Sequence, residues 1–193
     1  MKKIIFSLAL LALAPLAQAH TVIYFATLSG SAEATPNASP AVGTATVTLD
    51  LDLVTMKVDV EFSGLLGNVT AAHIHGPTAV AGAGTAGVIT MTPTFTGFPS
   101  GVTSGTYSQT FDMTLASSYN AAFITANGGT VATALNAGVA ALDAGKAYLN
   151  IHTSSFGSGE IRGFLAPVPE PGTTVLGLLS GAVLMRRRRS ARI

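Results

Sequence analysis

The chain of 193 residues contains no cysteine and no tryptophan. Without thiols it has no disulfide scaffold, no Cys-based zinc site and no thiol nucleophile. With four tyrosines and no tryptophan, it has few side chains for stacking on sugar rings. Charge is scarce too, at 10% of residues, and most of the basic charge sits at the two ends. Between positions 20 and 168 the basic residues are Lys57, Lys146 and Arg162. Against them stand Glu33, Asp50, Asp52, Asp59, Glu61, Asp112, Asp143 and Glu160, and three against eight leaves −5. Nucleic-acid binding needs a basic footprint, and this acidic segment lacks one. No apolar run reaches the ~20 residues of a comfortable membrane span. There is no phosphate-cradling glycine loop between strand and helix, and no motif context for a Ser/His/Asp triad. No enzyme activity is therefore expected.

The two ends read as addresses. Lys2 and Lys3 precede an apolar stretch from Ile4 to Leu16, and Ala17-Gln18-Ala19 supplies a small-x-small cleavage pattern. That is the build of a secretory signal peptide over residues 1–19, with His20 as the mature N-terminus; a retained N-terminal anchor is the alternative. At the other end, Val168-Pro169-Glu170-Pro171-Gly172 leads into an apolar run, residues 172–185, followed by Arg186 to Arg189. Arginines at a membrane edge stay cytoplasmic. The run would span roughly 21 Å as a helix at ~1.5 Å per residue, short of a ~30 Å hydrocarbon core. Arginine snorkelling extends that reach, and a weak span suits a transient anchor.

This tail, residues 167–193, resembles the PEP-CTERM sorting signal, with Pro169, Glu170 and Pro171 as its motif. The resemblance implies an exosortase-type processing enzyme as partner and an inner-membrane anchor that is later removed. It also implies a destination at the cell surface or in the exopolysaccharide matrix of a Gram-negative bacterium. An ordinary tail anchor is the alternative.

Between the ends, residues 20–166 are long enough for one domain with its own core. Apolar residues alternate with polar ones through Ala45, Val47, Leu49 and Leu51, and again through Val54, Met56, Val58, Val60 and Phe62. This predicts two half-buried strands joined by a tight turn near Asp50–Leu53, where the bland role of Asp50 and Asp52 is turn capping. Further strands are expected at 22–28, 69–75, 87–91, 106–115, 147–152 and 160–165, and short Ala-rich helices within 116–126 and 130–144. The fold class is all-β, an antiparallel β-sandwich of the immunoglobulin-like or superoxide-dismutase-like kind with one or two short helices.

The chemistry-bearing residues fall in two strings. His73-Ile74-His75 puts two imidazoles on one strand face. Tyr148, Asn150 and His152 likewise share a face, and Glu160 and Arg162 are expected to share another. Ala72-His73-Ile74-His75-Gly76-Pro77, with the string from Tyr148 to Gly163 and the segments Leu28-Ser29-Gly30 and Phe62-Ser63-Gly64-Leu65, resembles the CHRD domain, named from chordin. The resemblance implies the β-fold and little chemistry. It departs at Glu33-Ala34-Thr35-Pro36, where the family often has a pair of prolines close behind the glutamate. Gly64-Leu65 ahead of the two histidines is also faintly similar to the copper-binding strand of Cu/Zn superoxide dismutases. The disulfide cysteines of that family are absent here, and a full copper and zinc ligand set has no counterpart.

Two functions are weighed. The first is a non-enzymatic surface or matrix module that needs no cofactor and binds exopolysaccharide or a surface protein. In it the histidines are neutral and tie loops to the sheet, and Arg162 pairs with Glu160 or a distant carboxylate. Phe95, Phe98 and Phe111 serve as packing, while Tyr107 and Tyr119 are the exposed aromatics for a ligand. The second is a Cu or Zn site on His73, His75 and His152, with His20, Glu160 and Arg162 as accessory candidates.

Overall fold

The period-two stretches become strands in the computed structural model, which describes residues 20–169. Thr21–Ser29 (β1), Val42–Asp50 (β2) and Thr55–Ser63 (β3) form an antiparallel meander. The β2–β3 turn is built as the sequence predicts. Asp50 Oδ1 accepts from the backbone N–H groups of Asp52 (3.0 Å) and Leu53 (2.8 Å), while Val54 takes the left-handed conformation at φ 54°. Val69–His75 (β4), Gly105–Asp112 (β5), Tyr148–Thr153 (β6), Ile161–Phe164 (β7) and the short Ala166–Pro167 (β8) complete the strands.

All eight belong to one antiparallel sheet in the order β4-β6-β7-β1-β2-β3-β5, with β8 alongside β1. The sheet curls so that its two halves face each other across one core. Leu49 of β2 and Met56 of β3 line the same small cavity as Ile74 of β4. The all-β antiparallel expectation holds, and the two walls of the sandwich are halves of a single hydrogen-bonded sheet.

The outer edge of β4 is not left bare. Ile89 N–H donates to Ile74 O (2.8 Å), Phe95 N–H to Ala72 O (3.1 Å) and Gly101 N–H to Val69 O (3.0 Å). The strand expected at 87–91 does not form; the segment makes isolated bridges, His75 to Val88 and Thr90 to Tyr119. Threonine side chains replace its ladder. The Ile74 N–H donates to Thr90 Oγ1 (3.1 Å) and the Ala72 N–H to Thr94 Oγ1 (2.9 Å), so the edge donors are satisfied without a paired strand.

Both expected helices are present. Ala121–Ala126 (α1) starts at Asn120, whose side chain accepts from the Ala122 N–H, after a 3-10 turn at Ala116–Ser118. Val131–Asp143 (α2) opens with a capping box between Thr130 and Thr133 and buries Ala134, Gly138, Ala141 and Leu142. That spacing is one helical face, and it covers the open side of the core.

Phe95, Phe98 and Phe111 are packing residues as expected, with Phe95 fully buried. Tyr107 and Tyr119 are a correction, since both are buried rather than exposed. Tyr107 Oη donates to Thr96 O (2.9 Å) and Tyr119 Oη to Met113 O (3.0 Å), so their polar ends are also spent internally. Among the described residues, no helix is long and apolar enough to cross a membrane. The expected signal peptide with Ala17 and Ala19, the motif residues Glu170 and Pro171, and the apolar tail lie outside the described residues; Pro169 is the last one within them.

Candidate metal centre

The site follows from strand parity. On β4, Ala72 and Ile74 point into the core, so His73 and His75 point to the opposite face. On β6, Leu149 and Ile151 are fully buried in the core and His152 faces the other way. Register then does the rest. His73 lies opposite Asn150, His75 opposite Tyr148, and His152 opposite the small Ala71. Diagonal cross-strand neighbours remain within reach of long side chains, and Ala71 leaves His152 room to lean toward both partners. The ring centroids are 5.6 Å apart for His73–His75, 5.3 Å for His73–His152 and 5.6 Å for His75–His152.

Each imidazole is anchored by a backbone carbonyl from a different loop. His73 Nε2 meets Pro93 O at 2.6 Å, His75 Nδ1 meets Ala86 O at 3.0 Å, and His152 Nδ1 meets Gly157 O at 3.0 Å. A carbonyl only accepts, so each of these ring nitrogens carries the proton. The other nitrogen of each neutral ring therefore offers a lone pair: Nδ1 of His73, Nε2 of His75 and Nε2 of His152. One ligand atom from each of the three histidines lies within 4.8 Å of the others.

The free nitrogens are in an unusual position. His73 Nδ1 is buried with no hydrogen-bond partner. His75 Nε2 and His152 Nε2 stand 3.4 Å apart with no proton between them once both Nδ1 atoms carry theirs. Adding a proton is disfavoured. Burial pulls the pKa of all three below the ordinary histidine value, and His75, also facing the charges of its neighbours, falls to about 4. Metal–nitrogen bonds of ~2.0–2.1 Å in tetrahedral geometry set two ligand nitrogens ~3.3 Å apart, close to the spacing seen here. Carbonyl-fixed tautomers with converging lone pairs are the outer-shell arrangement that orients histidine ligands for a metal.

The comparisons with known proteins agree with the strings around these histidines. Residues 24–165 match the model of the CHRD domain. The chain belongs to the CHRD family. No curated protein and no solved structure gives a match. CHRD domains are extracellular modules, in accord with an exported protein.

The accessory candidates do not join the CHRD site's three histidines. His20 stands at the start of β1, with its Nδ1 3.3 Å from Asp52 Oδ1 and its backbone N–H donating to Asp52 Oδ2 (3.1 Å). Glu160 and Arg162 do not share surroundings, because regular strand begins only at Ile161 and Glu160 lies before it. The Glu160 carboxylate turns inward, to Ser39, Leu66, Gly67 and Thr153. Arg162 lies on the histidine side, opposite Asn150, and its carboxylate partner is Glu33 rather than Glu160, with Nε 3.7 Å from Glu33 Oε2.

Tyr148 and Arg162, named in the sequence without a role beside His75, prove to support the CHRD histidines from one side. Tyr148 stacks on His75, with centroids 5.0 Å apart and rings 6° from parallel, and the Arg162 guanidinium lies 4.8 Å from the Tyr148 ring centre. The strap 77–88 is pinned over this face. Arg162 Nη1 donates to Gly84 O (2.8 Å) and the Ala86 N–H donates to Tyr148 Oη (3.3 Å). The period-two parity of Tyr148 and His152 was the one signal in the sequence that could have pointed there.

Proposed function

We propose that this CHRD domain is an exported metal-binding module that holds one copper or zinc ion on His73, His75 and His152. The observation that carries the proposal is the pair of unprotonated Nε2 atoms 3.4 Å apart, with a third orphaned nitrogen on His73. Facing lone pairs repel, and a cation between them removes the repulsion. Three imidazoles without thiolate or carboxylate suit Cu or Zn and disfavour Ca or Mg, which take oxygen. Binding, rather than catalysis, is the role assigned.

The loss of Tyr107 and Tyr119 as exposed aromatics weakens the adhesive reading, since both are spent on internal contacts. For location, the proposal keeps the PEP-CTERM tail. The domain is carried to the inner membrane of a Gram-negative cell, cut by an exosortase-type enzyme near Pro169–Pro171 and released to the surface or matrix. Mass spectrometry of the surface protein should find a C-terminus near that motif, and an intact tail would refute the processing.

The metal is tested on the exported protein, purified without a histidine tag. Elemental analysis should return one Cu or Zn per chain, and His73→Ala with His75→Ala should abolish it while the β-sheet circular dichroism is kept. A folded, metal-free protein that also resists loading with either ion would leave the histidines as loop anchors.

A further inference from the structure

Beside the histidines lies a buried ion pair that the metal-binding reading does not use. Glu33 is 8% exposed and Arg162 4%. Arg162 spends two donors on neutral carbonyls, Nε on Ala32 O (2.5 Å) and Nη1 on Gly84 O (2.8 Å), which leave its charge uncompensated. Glu33 is the carboxylate within reach, at 3.7 Å, and its second oxygen, Oε1, is buried without a partner. From this pair the charge is handed to the site through one ring. Arg162 lies over Tyr148, Tyr148 stacks on His75, and the Arg162 charge helps to depress the His75 pKa.

We propose that the Glu33–Arg162 pair gates the histidine site: an ionised Glu33 neutralises Arg162 and admits a divalent cation, whereas a protonated Glu33 leaves a bare guanidinium opposing it. The proposal rests on the metal-binding reading above and names its regulation. Burial pushes the Glu33 carboxyl up to about 7 even though Arg162 and a hydrogen bond from Ala34 pull it down. Both forms of the gate are therefore populated near neutral pH. The histidines do not supply this dependence, because their own values sit below the ordinary one and they are already neutral there.

The groups around Glu33 are few. Arg162 of β7 is its charged neighbour, while the strap 77–88 and the segment 34–41 carry no ionisable side chain. From β6 the titratable side chains on the site's face are Tyr148 and His152, and from β4 His73 and His75. Glu160 is tied up elsewhere, by Ser39, Leu66, Gly67 and Thr153. On a doubly charged ion about 10 Å away, one guanidinium screened to an effective dielectric of ~50, between the protein-surface and bulk-water limits, changes the affinity roughly tenfold.

The probe is Zn2+, its affinity for the full exported chain measured by chelator competition from about pH 5.5 to about 8.5, across the ordinary histidine range. Wild-type affinity should climb about tenfold through neutrality, since one unit charge is switched. Glu33→Gln should hold the weak, low-pH affinity throughout. Arg162→Gln should hold the tight affinity throughout, the opposite of what a merely structural arginine predicts. Arg162→Lys keeps the charge and should keep the climb. A climb that persists in Glu33→Gln, or weaker binding in Arg162→Gln, overturns the gate. A wild-type protein that binds zinc with no climb also overturns the gate and spares the metal site, whereas no binding at any pH overturns both.

Discussion

Glu160→Ala should cost the domain about 4 kcal/mol, enough to threaten a fold whose whole stability is expected in the ~5–15 kcal/mol range. The side chain is fully buried. Its Oε1 accepts from Ser39 Oγ (2.6 Å) and the Leu66 N–H (2.6 Å), and its Oε2 from the Gly67 N–H (3.1 Å) and Thr153 Oγ1 (2.8 Å). One carboxylate therefore joins the 34–41 segment, the 64–68 loop and the end of β6 to the start of β7. Removing it leaves two backbone N–H groups and two hydroxyls without their acceptor, and each unpaired buried donor costs about 1–3 kcal/mol.

Glutamine in its place keeps the shape but turns an amide NH2 toward groups that themselves donate, so Glu160→Gln should recover less than half of the loss. Burial pushes the Glu160 carboxyl up, but the four hydrogen bonds outweigh burial and hold it below the usual glutamate value. A depressed value in the folded state means that the contribution is complete above the unfolded-state value and fades as pH falls through the folded one. The gap between wild type and Glu160→Ala should accordingly persist at neutral pH and narrow in acid. Urea unfolding followed by circular dichroism measures it, and a gap below about 1 kcal/mol at neutral pH would show that water or neighbours replace the carboxylate.

The features that the sequence disclosed are those set by local rules. The β2–β3 hairpin follows from alternation and an Asp50 turn, and the shared face of His73 and His75 follows from two-residue spacing. The same parity could have corrected Tyr107. Tyr107 and Phe111 are four apart on β5, and they lie opposite the core residues Val60 and Met56. Register, by contrast, was hidden. That His152 comes beside the β4 pair depends on β6 joining β4, which no local pattern encodes. The Glu33–Arg162 pair spans most of the domain between residues with no periodic context. Glu160 was misassigned to the face of Arg162 because the two-residue rule assumes regular strand, and β7 begins only at Ile161. At 87–91 the composition suited a strand, but the hydroxyls of Thr90 and Thr94 took over the hydrogen bonds that a ladder would have made.

Zinc should raise the melting temperature of the exported chain by about 10 °C near neutral pH. Free zinc at ~1,000 times its dissociation constant stabilises the folded state by about 4 kcal/mol, and a domain of this size shifts by ~2–4 °C per kcal/mol. The pH course of that increment separates the three-histidine site from adventitious binding. Surface histidines take up protons near pH ~6.5 and would release the metal there. His75 in the fold titrates at about 4, so proton competition at the buried site is delayed into stronger acid.

The same depressed value has a consequence for the metal-free protein. His75 is neutral in the fold but charged in the unfolded chain between about 4 and the ordinary histidine value, so its contribution is present above that ordinary value and is lost as pH falls toward 4. Up to about 3 kcal/mol disappears over that window, with His73 and His152 acting in the same direction. Glu33 runs the other way. Its raised value stabilises the fold in acid, and that contribution is lost as pH rises through about 7. Metal-free Glu33→Gln should therefore be more acid-labile than wild type, relative to its own stability at neutral pH, because the opposing trend has been removed. Differential scanning calorimetry with and without zinc, at steps from about pH 7.5 down to about pH 4, reads all three trends against their titration ranges. The zinc increment should shrink modestly as Glu33 takes its proton, hold through mild acid and vanish near the His75 value. An increment that disappears at the ordinary histidine value, or that survives in His152→Ala, would place the metal on the surface instead of between these three rings.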